Sequence, residues 1–180
     1  MTQTGRPARA ATQLALALAA LVVLLDQISK WVILAFVMQP PRVIEVTGFF
    51  NLVLAYNTGV SFGILGGEAA WKPWGLSLLA LAIVAGLFYW LRRQPERRLA
   101  VAVGLVAGGA VGNVIDRLHQ PGVVDFLDFH LGGWHWPAFN LADSGISIGV
   151  VILVLDGLFW DRRRSKTTDN DNKTETPRED

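Results

Sequence analysis

Residues 139–155 read FNLADSGISIGVVILVL, in which Asn140 and Asp143 lead directly into an apolar run. A helix needs about 20 apolar residues to cross roughly 30 Å of hydrocarbon. The run continues to Trp160, so we predict a membrane span over about 144–160, with an amide and an acid just before it.

Three further stretches meet the same criterion, at about 12–37, 74–91 and 99–115. The chain is 52% hydrophobic with a mean hydropathy of +0.37, and 17% of its residues are charged, whereas soluble domains carry about 25%. Arg6 and Arg9 before the first run resemble the start of a secretory signal. The run continues to Val37 without a small-residue cleavage site, so we predict an uncleaved helix.

Charge and cysteine content exclude several classes of protein. A net charge of +1 argues against a nucleic-acid partner, because phosphate binding requires a concentrated basic face. The chain has no cysteine, which excludes disulfide frameworks, iron–sulfur clusters, thiolate zinc sites and cysteine nucleophiles.

The basic residues indicate the orientation in the membrane. Twelve of the sixteen lie before the first span, between the second and third, or after the fourth. The positive-inside rule places these segments and both termini in the cytoplasm, so the segments at about 38–73 and 116–143 face outward. We predict one four-helix membrane domain over 1–165 and a disordered cytoplasmic tail over 166–180, which is polar and lacks apolar periodicity.

The first outer segment contains RVIEV (42–46) and FFNLVLAY (49–56), which are rich in β-branched and aromatic residues and flank a Thr47–Gly48 turn. The predicted fold class is therefore an all-α membrane protein. It has four transmembrane helices and a small extracytoplasmic β-sheet between helices 1 and 2.

The third span presents small and polar residues at helical spacing. Gly104, Gly108 and Gly112 share one face and predict close helix packing. Asn113 and Asp116 follow with an N-x-x-D spacing that recurs at Asn140 and Asp143, and residues three apart lie on one helix face.

Two interpretations of the second N-x-x-D pair compete. It could be the N-cap and the N3 acid of a helix start. A cap does not account for Asp125 in VVDFLDFH (123–130), or for further polar residues at the same membrane level, and ionisable residues near a bilayer usually mark function. Two carboxylates that meet can share one proton and activate a water, as in aspartic proteases.

Four motifs lie in order along the chain: DQISK at 26–30, NTGVSFGIL at 57–65, GNVIDRLHQPGVVDF at 112–126 and FNLADSGISIG at 139–149. Together they resemble the successive boxes of the lipoprotein signal peptidase (signal peptidase II) family, over about residues 14–160. The resemblance implies a four-helix inner-membrane aspartyl protease with an outward β-cradle. Such an enzyme removes the signal peptide of a diacylglyceryl-modified prolipoprotein just before the lipidated cysteine, is inhibited by globomycin and needs no metal or cofactor.

The resemblance also assigns roles to residues. It implies a catalytic dyad of Asp125 and Asp143. The resemblance does not say which acid is ionised first; the residues themselves favour Asp143, which lies in the first turn of a helix, whereas Asp125 is flanked by Val123, Val124 and Phe126. Residues expected to line the pocket and contact substrate or inhibitor are Asp26, Asn57, Asn113, Arg117 and Asn140. Residues expected to support the site are Lys30, Gly59, Asp116 and Ala142. The expected partners are the prolipoprotein, membrane lipid and globomycin-like inhibitors, and the protein is expected to be a monomer. Asp128 is assigned to the solvated edge, outside the pocket.

Other functions compete with this hypothesis. A small proton-coupled transporter or channel also uses intramembrane acids, although it does not predict acids at one membrane face only. A zinc hydrolase would use His119, His130 and His135, but no H-E-x-x-H motif is present. A serine–lysine peptidase would place Ser144 or Ser61 beside Lys30 or Lys72. We expect Lys30 instead to snorkel at the end of the first span.

Overall fold

The four predicted spans are all helical in the computed structural model, which describes residues 5–59 and 72–159. The helices are α1 (Gly5–Val32), α2 (Lys72–Arg93), α3 (Arg97–His119) and α4 (Leu141–Phe159), and α1 continues as a π-helical turn over Ile33–Val37. Each is long and apolar enough to cross a membrane. The predicted tail at 166–180, and Ser61, lie outside the described residues.

Helix α3 is the centre of the bundle. In its most apolar window 78% of the residues are buried, against 11% in α1, 11% in α2 and 17% in α4. A Cβ atom on Gly104 or Gly108 would lie 2.7 Å from the carbonyl oxygen of Ala15 or Ala19, respectively. Such contacts are too close for any side chain, so these glycines allow α1 to pack directly on the α3 backbone, as predicted.

The sheet has four antiparallel strands in chain order: β1 (Ile44–Thr47), β2 (Phe50–Asn57), β3 (Val123–Leu131) and β4 (Trp134–His135). The predicted hairpin between helices 1 and 2 is confirmed as β1 and β2. The sheet is larger than this hairpin, because β3 and β4 from the α3–α4 connection add to it. A two-stranded hairpin is marginally stable alone, and β3 completes the pairing of β2.

An apolar cluster attaches the sheet to the helices. Ile33 and Met38 at the end of α1 pack with Phe126 of β3, and all three are buried. This contact places the first half of β3, including Asp125, against the ends of α1 and α3.

Candidate active site

The beginning of α4 has the geometry of a reciprocal helix cap. The Asp143 N–H donates to Asn140 Oδ1 at 2.9 Å, and the Asn140 N–H donates to Asp143 Oδ2 at 3.3 Å. These bonds satisfy two N–H groups that a helix start leaves without intrahelical partners. The cap interpretation of the N-x-x-D pair is therefore confirmed, and it explains why α4 begins at Leu141.

Asp125 reaches the same asparagine from the sheet. Its side chain is 2% exposed, and its Oδ1 accepts a hydrogen bond from Asn140 Nδ2 at 2.7 Å. Just after it, the N–H groups of Phe126 and Leu127 both donate to the Phe139 carbonyl, at 3.1 and 2.8 Å. This pairing of two residues against one is a β-bulge, a feature that redirects side chains next to functional sites. Asp125 and Asp143 thus meet at Asn140.

Asn113 of α3 holds the other side of Asp143. Its Nδ2 donates to Asp143 Oδ1 at 2.8 Å, while its Oδ1 accepts from Asn140 Nδ2 at 3.3 Å. Arg117 lies one turn further on and donates from Nη1 to the Asn113 carbonyl at 3.3 Å. Its charge interacts with Asp143, Asp116 and Asp125, and its buried Nε has no hydrogen-bond partner. Arg117 therefore has a free donor beside the acids.

The two acids influence each other electrostatically. The pKa of the Asp125 carboxyl is raised from 3.8 to about 6, first by burial and then by the negative charge of Asp143. Hydrogen bonds to Asn57 and Asn140 and the charge of Lys30 act in the opposite direction. Asp125 is thus the member of the pair whose surroundings favour the protonated form.

Lys30, Asp26 and Asp116 form a buried ion cluster, here called the buried triad. Lys30 Nζ lies 2.7 Å from Asp26 Oδ2 and 2.7 Å from Asp116 Oδ2, and the lysine is only 3% exposed. The expectation that Lys30 snorkels towards the membrane surface is therefore wrong, because two carboxylates from different helices compensate its charge inside the bundle.

Gln27 also belongs to this cluster, although it is not among the predicted site residues. Its Nε2 donates to Asp26 Oδ2 at 3.1 Å and to Asp116 Oδ1 at 3.0 Å. Its position directly after Asp26 in the DQISK motif was the available signal.

The remaining predicted site residues also lie at this end of the bundle. Asn57, the last residue of β2, hydrogen-bonds the Asp125 carboxylate, and Asn57 Oδ1 accepts from the Gly59 N–H at 2.8 Å. Gly59 has φ +79°, a conformation that favours glycine. Ala142 is fully buried, and its N–H donates to Asp26 Oδ1 at 3.0 Å.

Asp128 is buried, so its assignment to a solvated edge is wrong. It is 6% exposed, accepts from Asn51 Nδ2 at 3.0 Å and lies 2.9 Å from His135 Nδ1. Burial opposes ionisation of Asp128, but hydrogen bonds to His135 and Asn51 outweigh it and hold the pKa of this carboxyl below its ordinary value. None of its recorded partners belongs to the group around Asn140, so Asp128 forms a separate polar cluster on the sheet.

Residues of the competing hypotheses take other partners. His130 stacks on His135 within the sheet, and His119 contacts the Ile115 carbonyl at the end of α3. Within 5–59 and 72–159, no three metal-ligating side chains converge. The Ser144 hydroxyl donates to the Asn140 carbonyl at 2.9 Å, whereas Lys30 contacts Asp26, Asp116 and Asn113.

Fold and site together define a multi-pass membrane protein with two carboxylic acids held together by asparagines at one end of a four-helix bundle. A family model described as signal peptidase (SPase) II matches residues 18–159, and the chain belongs to this family. It is therefore a membrane-bound bacterial protease.

Curated relatives agree with the family assignment. The chain is 46% identical over 155 residues to the lipoprotein signal peptidase of Burkholderia vietnamiensis (strain G4), covering 86% of this chain and 93% of that protein. The lipoprotein signal peptidase of Burkholderia multivorans matches with the same identity and coverage.

Two solved structures share the fold. Both are described as bacterial membrane enzymes determined by the in meso method, at 1.9 and 2.3 Å resolution. The first has a TM-score of 0.71 and 32% identity, covering 81% of this chain and 92% of that chain. The second has a TM-score of 0.66 and 30% identity, covering 92% and 94%. Nothing in these comparisons favours a transporter or channel.

Proposed function

We propose that this chain removes the signal peptide from diacylglyceryl-modified prolipoproteins, cleaving immediately before the lipidated cysteine, with Asp125 and Asp143 as its catalytic dyad. One observation carries the assignment of the dyad: the two carboxylates, one from a strand and one from a helix, both hydrogen-bond Asn140. The family membership and the curated relatives support the substrate class.

The asymmetry of the two acids supplies a mechanism. Asp125, whose pKa is raised to about 6, holds the shared proton, and Asp143 begins as the carboxylate at the positive end of the α4 dipole. A water between them attacks the scissile carbonyl while Asp143 accepts its proton, and Asp125 donates a proton to the carbonyl oxygen. Collapse of the tetrahedral intermediate then breaks the C–N bond: the departing amine takes up the proton held by Asp143, and a hydroxyl of the intermediate returns its proton to Asp125, which restores the starting pair.

The surrounding polar residues bind the peptide. Asn57, Asn113, Arg117 and Asn140 line the pocket and contact substrate or a globomycin-like inhibitor. The unpartnered Nε of Arg117 supports this role, because a buried donor without a partner is costly unless a ligand accepts from it. Asp26, which the resemblance placed in the pocket lining, is 0% exposed and paired with Lys30, so we assign it a supporting role together with Lys30, Asp116, Gly59 and Ala142. The reaction uses no metal or cofactor in this scheme.

The proposal includes an orientation. Both termini lie in the cytoplasm, and the dyad lies near the outer face of the bacterial inner membrane, where translocated precursors arrive. The distribution of the basic residues supports this arrangement. Residues 1–165 form one peptidase domain that acts as a monomer, and 166–180 lie on the cytoplasmic side.

A cleavage assay with purified protein in lipid nanodiscs tests the function. We expect cleavage of a diacylglyceryl-modified precursor, inhibition by globomycin, and no cleavage of the same precursor with its cysteine replaced by serine. Asp125→Asn and Asp143→Asn should each abolish turnover. The double variant should be little worse than either single one, because either change destroys the shared-proton pair.

Asp128→Asn is the matched control. Asp128 is a buried, hydrogen-bonded acid on the same strand as Asp125, but its recorded partners lie outside the pocket. We expect this variant to retain most of its turnover per folded molecule. Near-normal turnover by a folded Asp125→Asn or Asp143→Asn enzyme would refute the dyad, and efficient processing of the serine precursor would refute the substrate.

A further inference from the structure

Each carboxylate of the buried triad also accepts a backbone N–H from the residue that precedes Asp125 or Asp143. Asp116 Oδ2 accepts the N–H of Val124, the residue before Asp125, at 3.0 Å. Asp26 Oδ1 accepts the N–H of Ala142, the residue before Asp143, at 3.0 Å. The backbones that carry the two acids are therefore both connected to Lys30, each through one carboxylate.

Lys30 has as many recorded acceptors as it has donors. An ammonium carries three N–H bonds, and Nζ lies 2.7 Å from Asp26 Oδ2, 2.7 Å from Asp116 Oδ2 and 3.3 Å from Asn113 Oδ1. The third contact, together with the Asn140 Nδ2 that also donates to Asn113 Oδ1 at 3.3 Å, sets how the Asn113 amide is turned. With its oxygen facing Lys30, its Nδ2 faces Asp143 Oδ1 at 2.8 Å.

We propose that Lys30 is a positioning residue for the catalytic pair. Its ion pairs with Asp26 and Asp116 set the spacing between the Val124 and Ala142 backbones, and its hydrogen bond to Asn113 orients that amide towards Asp143. The inference rests on the proposed roles of Asp125 and Asp143. It goes beyond them because it assigns the geometry of the pair to a lysine that contacts neither acid through a recorded hydrogen bond.

Neutralising the charge of Lys30 alone is a poor probe of this role. Asp26 and Asp116 are 0% and 3% exposed, so removing the cation leaves buried carboxylates uncompensated and threatens folding. Two variants separate charge from geometry. Lys30→Arg keeps the cation, but its planar fork does not direct three donors from one atom. Lys30→Met combined with Asp26→Asn removes one cation and one anion together, and the introduced amide retains an oxygen for the Ala142 N–H. Asp116 keeps its hydrogen bond from Gln27 and the nearby charge of Arg117.

Kinetics in nanodiscs provide the first test. We expect kcat to fall by about tenfold or more in both variants, with KM little changed, because small displacements of catalytic groups slow chemistry without removing binding contacts. Arg9→Lys, an exposed cation swap at the other end of α1, is the matched control and should keep the original kcat. A lysine that only balances charge would leave both variants with wild-type kcat, and that result would overturn the inference.

Hydrogen exchange provides a second test that does not depend on activity. In both variants the Val124 and Ala142 amides should exchange about tenfold faster or more, whereas amides in the β1–β2 hairpin should keep their wild-type rates. Wild-type exchange at both amides in the folded variants overturns the role of Lys30 and leaves the catalytic assignment intact. A wild-type protein that fails to cleave the lipidated precursor instead overturns the proposed function, and the exchange data still decide the role of Lys30.

Discussion

Asn140 uses each of its polar groups for a different purpose. Its backbone N–H and side-chain oxygen bond Asp143 in the helix cap, its Nδ2 donates to Asp125, and its carbonyl accepts from Ser144. The residue is fully buried, so all of these groups need partners inside the protein. One side chain therefore both starts α4 and brings the two acids together.

Asp125 is expected to lower the stability of the protein at neutral pH. Its pKa is about 6 in the folded protein and 3.8 ordinarily, so between these values the unfolded chain loses its proton first and stability falls as pH rises. Asparagine stays neutral throughout. Asp125→Asn should therefore match the wild type near pH 4 and exceed its unfolding free energy above pH 6, by up to about 3 kcal/mol.

Thermal unfolding in detergent across this pH range measures the effect, and Asp128 supplies a control of opposite sign. The pKa of Asp128 is lowered in the folded protein, so its contribution to stability is present above its ordinary pKa and is lost as pH falls. Asp128→Asn should thus be less stable than the wild type at neutral pH. A Tm difference between Asp125→Asn and wild type that does not vary with pH would contradict the expectation.

The sequence identifies the acids and amides of the site more readily than their partners. Asp26 and Lys30 are four residues apart on one helix, so their contact can be predicted from their spacing in the sequence. Lys30 also pairs with Asp116, which lies on another helix. A contact between residues so far apart in the chain cannot be predicted from local sequence spacing. The position of Lys30 near the end of a span therefore predicts that it snorkels towards the membrane surface. The burial of the triad depends on tertiary packing and cannot be predicted from the sequence.

At the scale of elements, glycine packing extends to the junction of α3 and α4. A Cβ atom on Gly109 would collide with the Ala142 carbonyl in the first turn of α4 and lie 2.7 Å from Ile146. Gly109→Ala should displace the turn that carries Asp143. We expect it to cost about 1–3 kcal/mol and to lower turnover of the protein that remains folded.

Gly86→Ala is the matched comparison for this prediction. Gly86 lies within α2, and a Cβ atom there meets nothing within 4 Å. Alanine is the better helix former by up to about 1 kcal/mol, so this variant should be unchanged or slightly more stable and fully active. Unfolding midpoints and turnover of the two variants, measured side by side, decide the matter. Equal behaviour would show that the α3–α4 contact does not constrain the site.

The strands show where pattern reading succeeds and fails. The β1–β2 hairpin is predictable because its two runs are β-branched and aromatic and enclose a turn. VVDFLDFH (123–130) is also rich in β-branched and aromatic residues. Because its two aspartates suggest a functional motif, the pattern does not by itself indicate a strand. The bulge after Asp125 and the pairing of β3 with β2, some 70 residues earlier in the chain, depend on tertiary contacts that the sequence does not display.

At the scale of the whole molecule, cysteine labelling in intact cells tests the orientation. The absence of native cysteine makes single substitutions unambiguous. We expect Thr47→Cys and Leu131→Cys to react with an impermeant thiol reagent from outside and Gln94→Cys to react only after lysis, since all three positions are exposed. Leu131 is preferable to the neighbouring Gly133, whose φ of +84° disfavours a side chain. Labelling of Gln94→Cys in intact cells would reverse the proposed topology.

The order of the elements along the chain has a consequence for biosynthesis. Asp125 is synthesised before α4, and Asp143, in the first turn of α4, follows it on the last of the four described spans. A nascent chain that has inserted only three helices holds one acid of the proposed pair and lacks Asn140, which positions it. With Asp125 and Asp143 as the catalytic pair, we therefore expect no proteolysis by the growing chain until α4 has entered the membrane.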